Sequence, residues 1–198
     1  MSTASTPLPR PLVLADLFPA VRARDVLLVT GGVLLMALLA QVSVPVPGSP
    51  VPITGQTLGV VLTAAALGPV RGTLVQAFYI LAGAVGLPFY SEASHGVEVV
   101  MGATGGYLIG FIPAAYLIGL AAQRGVDRNV ITALPLFCAG QAVIFAVGVP
   151  WLAVTTGMNA SQALHAGFYP FILGGIVKAA MAGSALAAAW LVVHRRMR

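Results

Sequence analysis

Charged side chains are scarce in this sequence. Only 8% of its 198 residues are Asp, Glu, Lys or Arg, whereas an ordinary soluble domain carries about 25%. At the same time 59% of the residues are hydrophobic. This number of charges is too small to cover a water-facing surface. The composition therefore excludes a soluble globular domain and predicts an integral membrane protein.

Cysteine and catalytic motifs are also nearly missing. Cys138 is the single cysteine, which excludes an intrachain disulfide and suggests no metal cluster. The sequence has no phosphate-binding Walker loop, no GxSxG or HExxH motif, and no pair of carboxylates within an apolar segment. It therefore predicts neither an ATPase nor an enzyme, and it predicts no cofactor.

Six apolar segments are present, and the yardstick for a membrane-spanning helix is about 20 residues. The second and third segments are short, and we expect the residues Gly68–Gly72 to form the turn between them. We predict an all-α membrane protein in which an N-terminal segment, residues 1–25, precedes a six-helix membrane domain, residues 26–198. The six segments are residues 26–43, 54–68, 72–88, 105–122, 129–150 and 167–193.

The basic residues outside these segments all fall on one side of a six-helix arrangement. The three loops of the opposite side contain no Lys or Arg. By the positive-inside rule, this distribution predicts that both termini are cytoplasmic. The net charge of +5 is then explained by orientation and contact with anionic lipid, and no nucleic-acid partner is expected. The residues are Arg10, Arg22, Arg24, Arg71, Arg124, Arg128, Arg195, Arg196 and Arg198.

The N-terminal segment lacks the pattern of a signal peptide. Two interpretations remain open for it, a disordered tail and a segment that lies along the membrane surface. In the second, the apolar residues would contact the membrane while Arg10, Arg22 and Arg24 lie near the headgroups. These apolar residues are Leu12, Val13, Leu14, Leu17, Phe18 and Val21.

Two loops on the side without basic residues are unusual. The first, "SVPVPGSPVPITGQT", has four prolines and no charge, which predicts non-helical backbone that lies against protein or lines a cavity. The second, "GLPFYSEASHGVEVVMGATGG", carries Glu92, His95 and Glu98. Their three-residue spacing leaves a metal site as an alternative, which the intervening Gly96 disfavours. We expect both loops to cover a site.

Small residues recur every fourth position in two segments, which places them on one face of each helix. For the fourth segment we expect packing inside the bundle. For the sixth, packing inside the bundle and contact with an external partner helix both remain open. The two sets are Gly102, Gly106, Gly110 and Ala114, and Gly175, Ala179, Gly183 and Ala187.

Lys178 is a cation inside the last apolar segment. At 1.5 Å per residue it lies roughly 24 Å from the basic end near His194 and about 16 Å from the opposite end, too far for its stem to reach the basic end. No Asp or Glu lies within any segment to pair with it. A charge at such a depth is costly and indicates a functional site. The hypothesis is a ligand-binding lysine, and the alternative is a lysine that binds a structural carbonyl or reaches the interface.

Several sequence blocks resemble the BioY family, the biotin-specific S components of energy-coupling factor (ECF) transporters. They are "VPVPGSPVPITGQTLGVVLTAAALGPVRG", "YILAGAVGLPFY", "GATGGYLIGFIPAAYLIG", "GVPWL" and "PFILGGIVKAAMAG". The resemblance runs from about residue 30 to residue 190 and depends on the set of blocks. It implies six membrane helices and a vitamin pocket near the outer face that is closed by loops. It also implies two kinds of partner, a coupling membrane protein (the T component) and two ABC-type ATPase subunits.

The resemblance also implies roles for individual residues. Lys178 matches the lysine of the family's Gly-Asp-x-x-Lys pattern, but the family's aspartate falls at Gly175, and the family's Asn in the fifth helix is Gln141 here. Either Ser91, Glu92 or Glu98 supplies the missing acceptor, or affinity is reduced. The alanines with which S components meet the T component correspond to Gly32, Met36 and Ala40.

The sequence therefore predicts a bacterial inner-membrane protein that binds biotin from the outer face and delivers it to the cytoplasm. Lys178 would bind the carboxylate or the ureido oxygen. Alternatives that remain open are an S component for another vitamin, a structural membrane scaffold, and a membrane enzyme. Operation without dedicated partners also remains open. The predicted substrate-binding residues are Lys178, Tyr90, Ser91, Glu92, Glu98, Tyr107, Gln56, Gln141 and Gly175.

Overall fold

Eight α-helices and one β-hairpin make up the part of the chain that a computed structural model describes, residues 13–17 and 23–196, with the backbone alone at Arg196. The two strands, β1 (Ser43–Val44) and β2 (Ile53–Thr54), pair antiparallel, with Ser43 opposite Thr54. Single 3-10 turns occupy Leu14–Leu17, Ser91–Ala93 and Val126–Arg128. The remaining elements are α1 (Arg24–Gln41), α2 (Gln56–Leu67), α3 (Pro69–Ala84), α4 (Val97–Met101), α5 (Gly105–Gln123), α6 (Val130–Thr156), α7 (Ala160–Gly167) and α8 (Tyr169–Arg196).

Each of the six apolar segments coincides with one helix, namely α1, α2, α3, α5, α6 or α8. By length and composition, four helical stretches within the described residues can cross a membrane. The helix α2 is apolar but has only 12 residues. The chain is thus a mostly helical protein with several helices suited to a bilayer. The four stretches are Arg24–Gln41, Gly105–Gln123, Val130–Thr156 and Ala160–Arg195.

Two predicted boundaries are wrong, and proline explains both. The turn between α2 and α3 is shorter than expected, because Gly68 alone breaks the helix with φ 84° and Pro69 already opens α3. Proline fits the first helical position, where no N–H is needed. The helix α6 runs past Pro150 to Thr156, since membrane helices tolerate proline better than soluble ones.

The helix α5 lies at the centre and contacts α2, α3 and α6. Glycine permits these close approaches. A Cβ at Gly106 would lie 2.2 Å from the Cβ of Trp151, and one at Gly119 would lie 2.4 Å from the backbone nitrogen of Pro69. Gly106, Gly110 and Ala114 therefore pack inside the bundle, as predicted. Gly102 lies before α5, where a Cβ would meet only the backbone oxygens of its neighbours in α4.

The small residues of α8 also face inward. A Cβ at Gly183 would lie 3.5 Å from the Cβ of Ala133, and Ala179 and Ala187 are buried. These residues pack against α6 and neighbouring parts of the fold, so this face of α8 is covered within the chain.

The predicted contact of Gly32, Met36 and Ala40 with a partner helix is wrong. A Cβ at Gly32 would lie 2.6 Å from Val75 of α3, and Met36 and Ala40 are fully buried. The four-residue spacing gave a wrong prediction because α1 is apolar on every side. Spacing alone therefore does not reveal which face of α1 is buried. The exposed face of α1 carries Leu27, Leu34 and Leu38 instead.

The described arginines and the two unusual loops lie at opposite ends of the bundle. At one end Arg71 forms salt bridges with Asp16 at 3.6 Å and with Asp25 at 3.0 Å. At the other end the Ser49 hydroxyl donates to the carbonyl of Ala166 at 2.7 Å, joining the hairpin loop to α7. Several predicted surface residues lie outside the described residues, namely Arg10, Leu12, Phe18, Val21, Arg22 and Arg198.

Candidate functional site

A cavity of about 470 Å³ lies beneath the β-hairpin and the loop that follows α3. Helices α2, α5, α6 and α8 supply its walls. This volume is within the usual range for small-molecule sites, about 300–1,000 Å³. Among the predicted site residues, seven line the cavity: Lys178, Tyr90, Ser91, Glu92, Tyr107, Gln56 and Gln141.

Much of the cavity wall is apolar and rigid. The hairpin contributes Pro45, Pro50 and Pro52, whose rings restrict the backbone. From the helices, Phe145 and Phe171 line the cavity with their ring centroids 6.1 Å apart. Such a wall suits a ligand with a hydrophobic ring or chain and a few polar groups.

Lys178 is the cation that lines the cavity. Its ammonium group donates to the carbonyl of Thr54 at 2.6 Å and to the hydroxyl of Thr57 at 3.1 Å. An ammonium group has three donors, so one remains for a ligand. Lys178 thus contacts a structural carbonyl and also lines the cavity, and its binding of a ligand stays a prediction. Thr54 and Thr57 were not predicted, although the block "PITGQT" placed two threonines three residues apart.

Three predicted residues use their polar groups to hold the frame. The Gln56 amide donates to the Tyr79 hydroxyl at 2.6 Å, and its oxygen accepts from the Thr54 hydroxyl at 2.7 Å. The Tyr107 hydroxyl donates to the carbonyl of Gly167 at 2.9 Å, and the Tyr90 hydroxyl donates to the carbonyl of Ile80. Because these polar groups already have partners within the protein, the three side chains offer a ligand mainly their apolar surface.

Burial also affects the chemistry of Tyr90, which lies in the loop after α3. Desolvation raises the pKa of this hydroxyl to about 12, so it stays protonated at physiological pH. Tyr90 packs edge to face against Tyr79, with ring centroids 5.7 Å apart. It therefore acts as a neutral anchor for the loop.

The segment Tyr90–Ser94, here called the capping segment, is tied to the end of α1. Gln41 donates to the carbonyl of Tyr90 at 3.1 Å and accepts from the backbone N–H of Ala93 at 3.0 Å. Glu92 and Ala93 have φ of 58° and 56°, a left-handed conformation that is unfavourable for residues other than glycine. The two bonds from Gln41 help to hold this strained backbone over the cavity.

The acidic residues of the second loop separate in the structure. Glu92 is exposed at the rim and accepts from the Ser43 hydroxyl at 3.4 Å, whereas Glu98 is exposed and does not line the cavity. Within the described residues, no group of three His, Cys, Asp or Glu side chains is placed to hold a metal ion. Glu98 is therefore poorly placed as an acceptor for a ligand in the cavity, contrary to the prediction, because α4 turns it outward.

Gly175 is buried behind the cavity wall and contacts Gln141. The Gln141 amide nitrogen donates to the carbonyl of Gly175 at 2.8 Å. Gly175 does not line the cavity, so this geometry does not support the predicted contact between Gly175 and the ligand. Its contact with the lining residue Gln141 makes it part of the site's support.

Comparison with known proteins identifies the family. The sequence profile of the BioY family matches residues 11–195. The chain belongs to the BioY family. The resemblance read from the sequence blocks is therefore confirmed.

Individual BioY relatives match over most of their length. The biotin transporter BioY of Thermotoga maritima is 36% identical over 155 residues, which cover 78% of this chain and 90% of the relative. The probable biotin transporter BioY of Pyrococcus horikoshii is 38% identical over 161 residues, which cover 81% and 93%. These relatives are named as transporters and not as enzymes.

A solved structure shares the fold. The S-component for biotin from an ECF-type ABC transporter superposes with a TM-score of 0.76 and covers 86% of this chain and 94% of that one. The two sequences are 22% identical. Because the identity is low, the match shows the fold alone, and this BioY member shares the S-component fold.

Proposed function

We propose that this protein is the biotin-binding subunit of an ECF-type importer, which captures biotin at the outer face and delivers it to the cytoplasm. The observation that carries the proposal is the cavity beneath the hairpin, where an apolar wall surrounds the ammonium group of Lys178. Biotin has a matching distribution of groups, with an apolar thiophane ring and valeryl chain between a ureido group and a carboxylate. The membership in the BioY family supports the same ligand.

Lys178 supplies the central polar contact. Two of its donors bind Thr54 and Thr57, and these bonds orient the ammonium group. The third donor binds an oxygen of biotin, either in the ureido group or in the carboxylate. A charge-assisted hydrogen bond in a site shielded from water is stronger than a neutral one, and it contributes to selectivity.

Other residues shape the site around this contact. Tyr90 and Tyr107 provide buried rings, Gln56 holds the start of α2, and Gln141 presents an amide. Ser91 and Glu92 lie in the capping segment, which covers the bound ligand. Release of biotin therefore requires the capping segment or the hairpin to move.

The chain needs partners for active uptake. Its sequence has no nucleotide-binding motif, so hydrolysis of ATP is assigned to two ABC-type ATPase subunits that act through a T component. The membership in the BioY family and the S-component fold support this assembly. We place the protein in the bacterial inner membrane with six crossings, both termini in the cytoplasm and the cavity towards the outer face, because its described arginines lie at the opposite end.

Substitution of Lys178 tests the proposal. Lys178→Met keeps an unbranched side chain of nearly the same length but removes the charge and the donors. We expect biotin to bind at least tenfold more weakly, a loss of about 1.4 kcal/mol, when measured by isothermal titration calorimetry on purified protein in detergent. Folding should persist, because replacing a buried charge with an apolar group of similar size is often tolerated.

Arg195→Ala is the matched control, since it removes an exposed cation at the other end of α8. This variant should bind biotin as the wild type does. An unchanged dissociation constant in Lys178→Met would remove Lys178 from the site. Competition by other vitamins against labelled biotin distinguishes a biotin protein from an S component of different specificity, and absence of any binding would favour a structural role.

A further inference from the structure

The orientation of the Gln141 amide is determined by its neighbour. A backbone carbonyl only accepts hydrogen bonds, so the amide nitrogen of Gln141 must face the Gly175 carbonyl, at 2.8 Å. The amide oxygen, Oε1, consequently points away from that carbonyl. Gln141 lines the cavity and is only 5% exposed.

Within the described residues, no donor forms a hydrogen bond with this oxygen. Gln141 is a largely buried residue at the cavity wall, so a partner for its amide oxygen must come from the cavity. Buried polar groups are almost always satisfied. Water can fill this role in the empty protein, and a ligand with an N–H can replace it.

Glycine at position 175 makes this arrangement possible. A Cβ there would lie 2.4 Å from Gln141 Oε1 and 3.3 Å from its Cδ. Even the methyl group of alanine would therefore force the amide to move. At the preceding position, Gly174, a Cβ would meet only Ile53 Cγ2 at 4.0 Å, so Gly174→Ala is a matched control on the same helix.

We propose that Gly175 is a positioning residue for specificity, which leaves room for Gln141 to present its amide oxygen to an N–H group of the ligand. This inference rests on the proposed function. Gly175 and Lys178 are three residues apart on α8, about 4.5 Å along the helix axis. Gln141 and Lys178 both line the cavity, and an acceptor and a donor in one cavity suit a ligand group that carries an N–H next to a carbonyl. In biotin the N–H donors are those of the ureido group, so the ureido group is assigned to this wall of the cavity.

A double-mutant cycle tests the coupling between the two positions. Biotin affinity is measured by calorimetry for the wild type, Gly175→Ala, Gln141→Ala, the double variant and Gly174→Ala. We expect at least tenfold weaker binding for Gly175→Ala and for Gln141→Ala, and less than a twofold change for Gly174→Ala. The double variant should bind no more weakly than Gln141→Ala, because the added methyl group then has no amide to displace. Thermal unfolding of each variant verifies that it is folded.

A second measurement separates hydrogen bonding from a structural effect. Biotin methylated on either ureido nitrogen cannot donate from that atom. The wild type should bind one of these two analogues at least tenfold more weakly than biotin, and this preference should shrink in Gln141→Ala. The wild-type comparison needs no variant and remains valid if a substitution prevents folding.

The possible results are distinct. The inference would be overturned if Gly175→Ala weakened biotin binding equally in the wild-type and the Gln141→Ala backgrounds. It would also be overturned if Gln141→Ala bound biotin and the methylated analogues as the wild type does. Equal affinity of the wild type for biotin and both analogues would overturn it as well. Failure of the wild type to bind biotin at all would instead overturn the proposed function, and the inference with it.

Discussion

Asp127 is a buried carboxylate in the loop between α5 and α6. Its Oδ2 accepts from the indole N–H of Trp190 on α8 at 2.9 Å, and the guanidinium of Arg128 lies 4.3 Å from the centre of the Trp190 ring. Desolvation raises the pKa of Asp127 above its ordinary value of 3.8. This one side chain therefore joins the loop to the last helix, but its negative charge is costly in so buried a position.

Replacement of Asp127 by Asn should change how stability depends on pH. Because the pKa is raised in the folded state, the contribution of Asp127 to stability is fully present below the unfolded pKa and is lost as pH rises through the folded pKa. Asp127→Asn removes this loss while keeping an acceptor for Trp190. We expect the difference in unfolding temperature, variant minus wild type, to become more positive as pH rises from the ordinary pKa of 3.8 through the raised pKa of the folded state.

Asp127→Ala provides the control for this prediction. It removes the acceptor as well as the charge and leaves the indole N–H without its partner, at a cost of about 1–3 kcal/mol. Its unfolding temperature should therefore lie below that of Asp127→Asn at every pH. A difference between wild type and Asp127→Asn that is constant with pH would contradict the prediction.

The capping segment shows how one helix end controls a loop. Gln41 is the last residue of α1, and its amide binds Tyr90 and Ala93 across the segment. A second contact joins the hydroxyls of Ser91 and Ser43 at 2.9 Å. The strain at Glu92 and Ala93 opposes these bonds. The segment is therefore poised to open when the bonds to α1 are removed.

Gln41→Ala should loosen the capping segment. It removes both hydrogen bonds between Gln41 and the capping segment, each worth about 0.5–1.5 kcal/mol. We expect hydrogen–deuterium exchange of residues 90–96 to become roughly tenfold faster or more, because 1.4 kcal/mol corresponds to a factor of ten. Bound biotin should also dissociate faster, which stopped-flow measurement would reveal.

Gln162→Ala is the control, since it removes the bond that the Gln162 side chain accepts from the backbone N–H of Asn159 at the start of α7. Its effect on exchange should be confined to the start of α7. Unchanged exchange at residues 90–96 in Gln41→Ala would show that other contacts hold the capping segment.

The described part of the chain carries its arginines and its two unusual loops at opposite ends of the bundle. The described arginines lie at one end, where Arg71 joins the N-terminal turn and α1 through Asp16 and Asp25. The opposite end carries the hairpin, the capping segment and α7. By the positive-inside rule, this separation of charge supports the proposed orientation in the membrane.

Labelling of single cysteines tests the proposed orientation. In a Cys138→Ala background, Ser161→Cys on α7 should react with a membrane-impermeant maleimide in intact cells. Arg195→Cys near the end of α8 should react only after lysis. Both positions are exposed in the isolated chain, so burial within the protein does not explain a difference. Labelling of Arg195→Cys from outside would contradict the proposed topology.

Much of the fold could be predicted from the sequence, because hydropathy and segment length are strong local signals. All six apolar segments became helices near their expected bounds. Boundaries at proline were less reliable, since Pro69 begins a helix and Pro150 lies within one. Proline restricts the backbone in the same way in both places, and only the surrounding packing decides whether the helix continues.

The candidate site was partly predictable for the same reason. A lysine in an apolar helix and two unusual loops pointed to the cavity, and seven of the nine predicted residues line it. The role of α4 in turning Glu98 outward and the contact of Lys178 with Thr54 and Thr57 were not visible, because they depend on which helices are neighbours.

By itself the sequence determined that this chain is a mostly helical membrane protein of the BioY family with a cation at depth. Composition and order along the chain are enough for these conclusions. Only the tertiary structure decided which face of α1 is buried, and that Gly175 supports Gln141. Those facts arise from contacts between residues far apart in the chain, whose partners no local pattern specifies.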